Sequence, residues 1–331
     1  MRILLATGIY PPHIGGPAQY VYSLKKELEA KGHAPKVITY TVERFLPVGI
    51  RHVFFFCKTI FFGFFTDRII AFDTFSTGVP ALLAGALLRK KTLIRIGGDF
   101  LWESYVERTK EPILLSEFYH TQKKYTIKEK SIFLLTKWAL SLATRIVFST
   151  SWQRDIFLSP YTIPIVKTVV IENRYARCVD IQVPTTKIFL FTVRNIALKN
   201  KERTIRAFEA IQREHHGIIL DMRTRSHDEL EKAIQSCYAV LLPSFSEVSP
   251  NFVMDAVSFG KPFVLTKDNG VMNRLNSMGV FVDPKDEEAI ASGIRALLDP
   301  KIYNTFVSEI KKSSFSHTTS DIASEFLSLL S

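Results

Sequence analysis

Twice along this chain, short runs of aliphatic and β-branched residues alternate with amphipathic stretches of helix length. This alternation constrains the fold more than any other feature. A short apolar run with no polar alternation must be buried on both faces, and a parallel sheet sandwiched by helices is the structure that does this. In the first half, Arg2–Thr7 reads as a strand, residues 8–17 as a glycine- and proline-rich loop, and 18–31 as a helix stopped by Gly32. Further strands are predicted at 36–40, Arg68–Phe72, Thr92–Ile96 and 145–149, with a long charged helical region over 111–143. A helix starts at Ser151, and 167–171 is extended. The second half restarts with a strand at 187–193, a helix at 202–213, strands at 217–222 and 238–242 and a helix at 228–236 between them. A strand at Phe263–Thr266 and helices at Glu287–Leu298 and Thr319–Leu330 follow.

A length of 331 residues suits two domains. The expected fold is α/β, with two Rossmann-like, doubly wound domains facing across a cleft. They are predicted at 1–172 and 173–331, divided in the aperiodic stretch 172–186, with the closing helix packing back on the first domain. Ligands of such sheets sit at the carboxyl ends of the strands.

Charge separates the halves. Residues 1–170 hold 23 Lys and Arg against 12 Asp and Glu, whereas 171–331 hold 20 of each, so the whole net charge of +11 lies in the first half. So complete a split implies different partners for the two halves. Cys57, Cys178 and Cys237 are far apart with no C-x-x-C spacing, which argues against a disulfide framework or a zinc site and for a reducing compartment. The opening Met1-Arg2-Ile3-Leu4-Leu5-Ala6 reads as a first buried strand rather than a signal peptide. The Phe-rich run 53–65 is interrupted by Lys58 and is shorter than the roughly 20 residues a bilayer requires. It reads either as an internal helix or as a segment touching lipid.

The most informative stretch is 241–256. A buried strand ends at Pro243 and a loop carries Glu247. Ser249 suits a helix N-cap with Pro250 at the first helical position, the helix runs to Phe259, and Gly260 suits its C-cap. The amides at that helix start, through Ser249, Pro250, Asn251 and Phe252, lie where phosphate or sugar oxygens bind. Glu247 and Asp255 are placed to accept hydrogen bonds from two hydroxyl-bearing rings. Upstream, Arg194 follows an apolar strand and Lys199 comes five residues later. Two fixed cations suit a diphosphate leaving group that gains charge as it departs.

The stretch 241–256 resembles the E-x(7)-E signature of the retaining family-four (group 1) glycosyltransferases, two-domain enzymes of the GT-B type. The resemblance implies that Glu247 contacts the donor sugar and that Asp255, standing where the family has Glu, contacts the ribose. Arg194 and Lys199 are similar to the family's R-x(4)-K element, which holds the donor diphosphate. Asn200 replaces the usual glycine after that lysine, leaving Lys201 as a substitute cation. Asn269 and Gly270 lie in a loop resembling the one that brings backbone amides to the donor. Gly15 and Gly16 resemble the family's glycine loop after the first strand; they do not form the G-x-G-x-x-G of a nicotinamide-binding domain. The segment from Lys199 to Glu247 is short by one βαβ unit, which leaves the nucleobase unspecified.

In the first half, Arg95, Asp99, Trp102 and Glu103 follow a predicted strand. Asp99 stands near a position where many relatives have histidine and reads as a base or a helix cap. Arg95, Trp102 and Glu103 read as acceptor contacts, or Trp102 and Glu103 as part of the next helix. The implied activity is hexosyl transfer from a UDP- or GDP-type nucleotide sugar to a hydroxyl, in glycan biosynthesis, with retention and no metal or other cofactor. The expected acceptor is lipid-linked or anionic, and the expected place is the cytoplasm, peripheral to the inner membrane face. The alternative is a two-lobed sugar-nucleotide binder that has lost catalysis. A nucleic-acid partner is disfavoured, since no basic–aromatic strand platform is present.

Overall fold

The computed structural model describes residues 1–13, 15–176 and 184–331. In chain order the first half forms β1 (Arg2–Thr7), α1 (Gly16–Ala30), β2 (Ala34–Ile38), α2 (Val48–Phe64), β3 (Arg68–Phe72), α3 (Gly78–Leu87) and β4 (Thr92–Ile96). Then come α4 (Phe100–Thr109), α5 (Leu115–Phe118), α6 (Ile127–Leu142), β5 (Arg145–Phe148), α7 (Ser151–Tyr161) and β6 (Thr168–Val170). The second half forms β7 (Lys187–Leu190), α8 (Lys201–Glu214), β8 (Ile218–Asp221), α9 (His227–Ser236), β9 (Ala239–Leu242) and α10 (Asn251–Ser258). It continues with β10 (Phe263–Thr266), α11 (Met272–Leu275), β11 (Val280–Val282), α12 (Glu287–Leu298), α13 (Pro300–Lys312) and α14 (Thr319–Leu330).

Two compact units result: Met1–Tyr105 with Gln122–Asn173 and Thr318–Ser331, and Val106–Thr121 with Arg174–His317. The first contains a six-stranded parallel sheet in the order β2-β1-β3-β4-β5-β6. All five residues of β4 are buried, as a two-faced parallel strand requires. Helix α3 packs between α2 and α6. Helix α14 packs against α1, and its start is fixed by a capping box between Thr318 and Asp321. Ile322, Ala323, Phe326 and Leu330 then fall on one face and enter the core beside Val21, Leu24 and Leu28. Arg68 Nε and Lys91 Nζ donate to the Leu330 and Ser331 carbonyls at 2.9 and 2.8 Å, satisfying the far end of the helix.

The second unit contains a five-stranded parallel sheet in the order β11-β10-β9-β7-β8. Among the described residues only β8 stands beyond β7, so this flank of the sheet is narrow. Its core includes Phe189, Phe208, Tyr238 and Tyr303, with the two tyrosine rings stacked at 4.2 Å. Burial pushes the Tyr238 hydroxyl up to about 12, and it donates to the Leu297 carbonyl at 2.6 Å.

The structure departs from the sequence reading in three places. The region 111–143 is not one helix: Pro112 precedes a single short turn, α5, and α6 starts afresh at a capping box between Thr126 and Glu129. Residues 106–121 belong to the second unit although they lie within the span predicted for the first, because their polar groups bond to loops of the second unit. The Phe-rich run is a helix with one face packed and the other open: Phe55 is fully buried, whereas Phe64 is 71% exposed. No helix among the described residues is long and apolar enough to cross a membrane. Cys178, and residues 177–183 of the aperiodic stretch, lie outside the described residues.

Phe326 is the largest side chain that α14 contributes to the core and is fully buried. Phe326→Ala should destabilise the first unit by about 4 kcal/mol in urea unfolding. A loss below about 1 kcal/mol would mean that the helix is not held there.

Candidate active site

The chain runs from β7 to β8 on one side, then returns to β9 on the other. The switch point of the second sheet therefore lies between β7 and β9, the place where such sheets bind ligands beyond their strand ends. Arg194 and Lys199 lie in the loop after β7, Glu247 in the loop after β9, and Asn269 and Gly270 in the loop after β10. Three neighbouring strands thus deliver these residues to one edge.

Main-chain bonds hold the loops together. The Phe245 amide donates to the Leu198 carbonyl at 2.9 Å. The Glu247 amide donates to the Asp268 carbonyl at 3.0 Å, and the Gly270 amide returns a bond to the Glu247 carbonyl at 3.0 Å. Within this frame Lys199 Nζ and Glu247 Oε1 meet at 2.5 Å, with side chains 21% and 12% exposed. Arg194 is exposed nearby in sequence, ahead of the same turn. Water screens a largely buried pair of this kind poorly, so each charge depends on the other.

The Asn200 position accounts for the missing glycine. Its φ of 52° lies in the left-handed region, which glycine and asparagine tolerate best. The amide Nδ2 then donates to the Pro243 and Pro284 carbonyls at 2.9 and 2.7 Å, and Oδ1 accepts from Arg203 Nη1 at 2.9 Å. Asn200 keeps the turn a glycine would make and adds a tie to the loop after β9.

The start of α10 differs by one residue from expectation. Val253 and Met254 both donate to the Pro250 carbonyl at 3.0 Å, so Pro250 rather than Ser249 precedes the helix, which begins at Asn251. The Ser249 hydroxyl is buried and has no partner among the described residues; nor has that of Ser244. Asn251 is exposed, Phe252 and Asp255 are half-buried, and the helix ends at Ser258, with Gly260 left-handed beyond it. Asn269 is buried, donating to the Thr266 carbonyl at 2.7 Å and accepting from the Val271 amide at 2.9 Å. Its side chain shapes the loop, while the main chain beside it holds Glu247.

A strap formed by residues 106–121 ties these loops down. Glu107 accepts from the Ala197 amide at 2.8 Å, inside the turn between Arg194 and Lys199. Lys110 beside it, together with that amide, holds the Glu107 carboxyl below its usual value. The Leu115 amide donates to Ser246 Oγ at 2.8 Å, the hydroxyls of Ser116 and Ser246 both donate to Asp268, and Lys285 meets Glu117 at 2.7 Å. Ser246 and Asp268 were not singled out in sequence, because their partners in the strap, Leu115 and Ser116, lie more than a hundred residues away.

At the β8 edge a groove is lined by Ile188, Leu190, Asp221, Arg223, Arg225 and Lys232 among others. Arg223 and then Arg225 hold the Asp221 carboxyl well below the usual carboxylate range, although burial opposes them. An acid and two arginines within five residues were the available sequence signal for this cluster.

The residues picked in the first unit have mostly internal roles. Gly15 precedes α1 and Gly16 begins it. Asp99 is 1% exposed and accepts from the Leu101 and Trp102 amides at 3.0 and 3.1 Å, so it caps α4. Trp102 is buried and Glu103 half-buried. Arg95 is buried under the Tyr20 ring, with its guanidinium carbon 3.8 Å from the centroid, and Nη2 donates to Ser149 Oγ at 3.0 Å and Asn173 Oδ1 at 2.5 Å. Arg95, Asp99 and Trp102 are therefore not displayed for an acceptor; an arginine within a buried strand must find its partners inside the domain. The acid missed here is Asp73, directly after β3, which accepts from the Phe75 and Gly78 amides at 2.8 and 3.2 Å and from Thr77 Oγ1 at 2.7 Å. Burial pushes its carboxyl above the ordinary value.

Two Rossmann-like domains, one with paired cations and an acid at its switch point, define a protein of the GT-B class. Residues 196–300 match the family described as glycosyl transferases group 1. The fold is thus of the GT-B type, and part of its second half matches the group 1 glycosyltransferase family. No curated protein matches its sequence. Among solved structures, a sucrose-phosphate synthase from Thermosynechococcus elongatus is similar, with a TM-score of 0.73 and 15% identity over 99% of this chain and 98% of that one. HepE of Anabaena, solved in complex with UDP-glucose, has a TM-score of 0.67 and 15% identity over 99% of both chains. An E. coli trehalose-6-phosphate protein bound with UDP-2-fluoro glucose has a TM-score of 0.69 and 10% identity over 100% and 99%.

Asn200 gives a direct test of the loop geometry. Asn200→Gly should cost about 2 kcal/mol, for the buried carbonyls it leaves unpaired. Asn200→Ala should cost about 1 kcal/mol more, since alanine resists the left-handed region. Chemical denaturation of both variants measures the difference, and equal losses would show that the backbone angle imposes no demand.

Proposed function

We propose that this protein transfers a hexosyl group from a nucleotide-diphosphate sugar to an acceptor hydroxyl, with retention and without a metal. The observation that carries this reading is the Lys199–Glu247 pair, placed at the switch point ahead of α10. Unoccupied, the two groups neutralise each other. When donor binds, Lys199 turns to the diphosphate and Glu247 accepts hydrogen bonds from sugar hydroxyls, so neither charge is left bare in a half-buried site. Arg194 adds the second cation. The amides at the start of α10 and the buried Ser249 hydroxyl face ligand oxygens, and Asp255 takes the ribose.

In the transfer step the anomeric carbon–oxygen bond to the diphosphate breaks, and a bond to the acceptor oxygen forms on the same face. The acceptor proton passes to the departing phosphate oxygen. Arg194 and Lys199 stabilise the charge that develops on that phosphate, the function a metal serves elsewhere. Internal roles for Arg95 and Asp99 fit a reaction in which the leaving group itself serves as base. The uridine ligands of HepE and the E. coli protein support a UDP-sugar donor.

The acceptor side is assigned to the first unit, which bears the whole basic excess. A lipid-linked or otherwise anionic acceptor suits that charge, with the protein peripheral to the inner membrane face. Hydrolysis of UDP-glucose separates this enzyme from a binder that has lost catalysis.

Arg194→Ala should lower transfer by a few hundredfold, about 3 kcal/mol, with an unchanged circular dichroism spectrum. Turnover within about threefold of wild type would remove Arg194 from the diphosphate site. Glu247→Gln should reduce sugar transfer far more than binding of bare UDP, because the acid serves the sugar. Calorimetry with UDP and with UDP-glucose compares the two, and an equal loss of affinity for both would sink that role.

A further inference from the structure

Helices α2, α3 and α6 lie side by side, and their outer surface breaks the usual rule for a helix facing water. On α2, Ile50, Val53, Phe54, Phe61 and Phe64 recur at helical spacing and are all exposed, Phe61 by 62%. Phe45, just ahead of that helix, is 89% exposed. On α6, Ile127, Leu134, Leu135, Trp138 and Leu142 form a second exposed row, and Leu87 of α3 lies on the helix between them. Scattered apolar side chains are ordinary at a surface, but two rows on neighbouring helices are not.

The charges on the same helices have one sign. Of the basic residues on these helices, Lys58 is paired with the buried Glu43 and Arg51 donates to the Arg44 and Leu46 carbonyls, while Lys128 and Lys130 are exposed and Lys137 half-buried. The one carboxylate, Glu129, is 3% exposed and engaged in its capping box. No exposed acid therefore faces outward from these three helices. A second copy of the chain would bring like charges together, which disfavours self-association through this face. Phenylalanine and tryptophan amid lysine and arginine, with acids excluded, form the amphipathic pattern of a surface that enters the headgroup region of an anionic bilayer.

We propose that the outer face of α2, α3 and α6 is a membrane-docking surface, with the apolar rows entering the lipid boundary and the exposed Lys128 and Lys130 binding anionic headgroups. The inference deepens the acceptor side of the function proposed above and rests on that reading only for what the docking serves. It does not depend on the donor chemistry.

The test is co-sedimentation of the full chain with vesicles of phosphatidylcholine alone or mixed with phosphatidylglycerol, at low and high salt. Binding should require the anionic lipid and weaken as salt rises. Phe61→Ser with Phe64→Ser should weaken it by about tenfold, as should Lys128→Glu with Lys130→Glu. All four positions are exposed, so the thermal shift produced by UDP-glucose should match wild type in both variants. That shift reports donor binding separately: its absence in wild type would count against the donor reading and leave the docking surface standing. Failure to bind anionic vesicles, or binding unchanged in both variants, would overturn the proposal. So would a concentration-dependent dimer abolished by the phenylalanine changes, which would assign the face to a second copy.

Discussion

Strands β9 and β10 are buried at every position, and a strand buried on both faces has no side chain free for polar chemistry. Everything this part of the molecule does with charge is displaced to the carboxyl ends of its strands. There the backbone leaves the sheet with unsatisfied groups and the neighbouring helix begins with unpaired amides. Loop-to-loop bonds replace the lost ladder: Phe245 to Leu198, Glu247 to Asp268, and Gly270 to Glu247. The Lys199–Glu247 pair sits on that secondary ladder, so its geometry is set by the backbone around it and depends little on its own flexible side chains.

The strap explains how so polar an edge stays ordered. Glu107 enters the turn before Lys199, while Leu115 and Ser116 fasten the two loops that flank Glu247. Each bond satisfies a backbone or hydroxyl group that would otherwise be left unpaired, at about 1–3 kcal/mol if buried. An acid whose loop is held from three directions needs little reorganisation to meet a ligand, which is the condition under which fixed charges act best.

What is legible in the sequence follows from range. Arg194, Lys199 and Glu247 are readable because each sits just beyond a buried run, and run, loop and helix are consecutive. The Asp255 and Asn200 departures from the family pattern are equally visible, but only the structure supplies the reason for Asn200, a left-handed turn whose side chain bridges two loops. Arg95, Asp99 and Trp102 read as cleft residues because a strand precedes them. Their partners, such as Ser149 and Asn173 for Arg95, lie far along the chain, and no local pattern announces them. The strap fails for the same reason. The closing helix succeeds because its capping residues and apolar spacing are local, although the surface it covers is not.

The division of charge also acquires a physical meaning. The second half is neutral overall, so the field at its strand ends comes from a few fixed cations, with no diffuse excess behind them. The first half carries the net charge, but at physiological salt an exposed charge is screened within about 8 Å. A diffuse positive surface under those conditions guides approach and orientation without holding a partner. Holding requires groups that work at contact, and the open rows of α2 and α6 are such groups. The two features are thus complementary: the basic excess acts before contact, and the exposed phenylalanines, leucines and tryptophan act after it. Either alone would be a weak device, and the exposed Lys128 and Lys130 beside the apolar row of α6 bring the two together on one face.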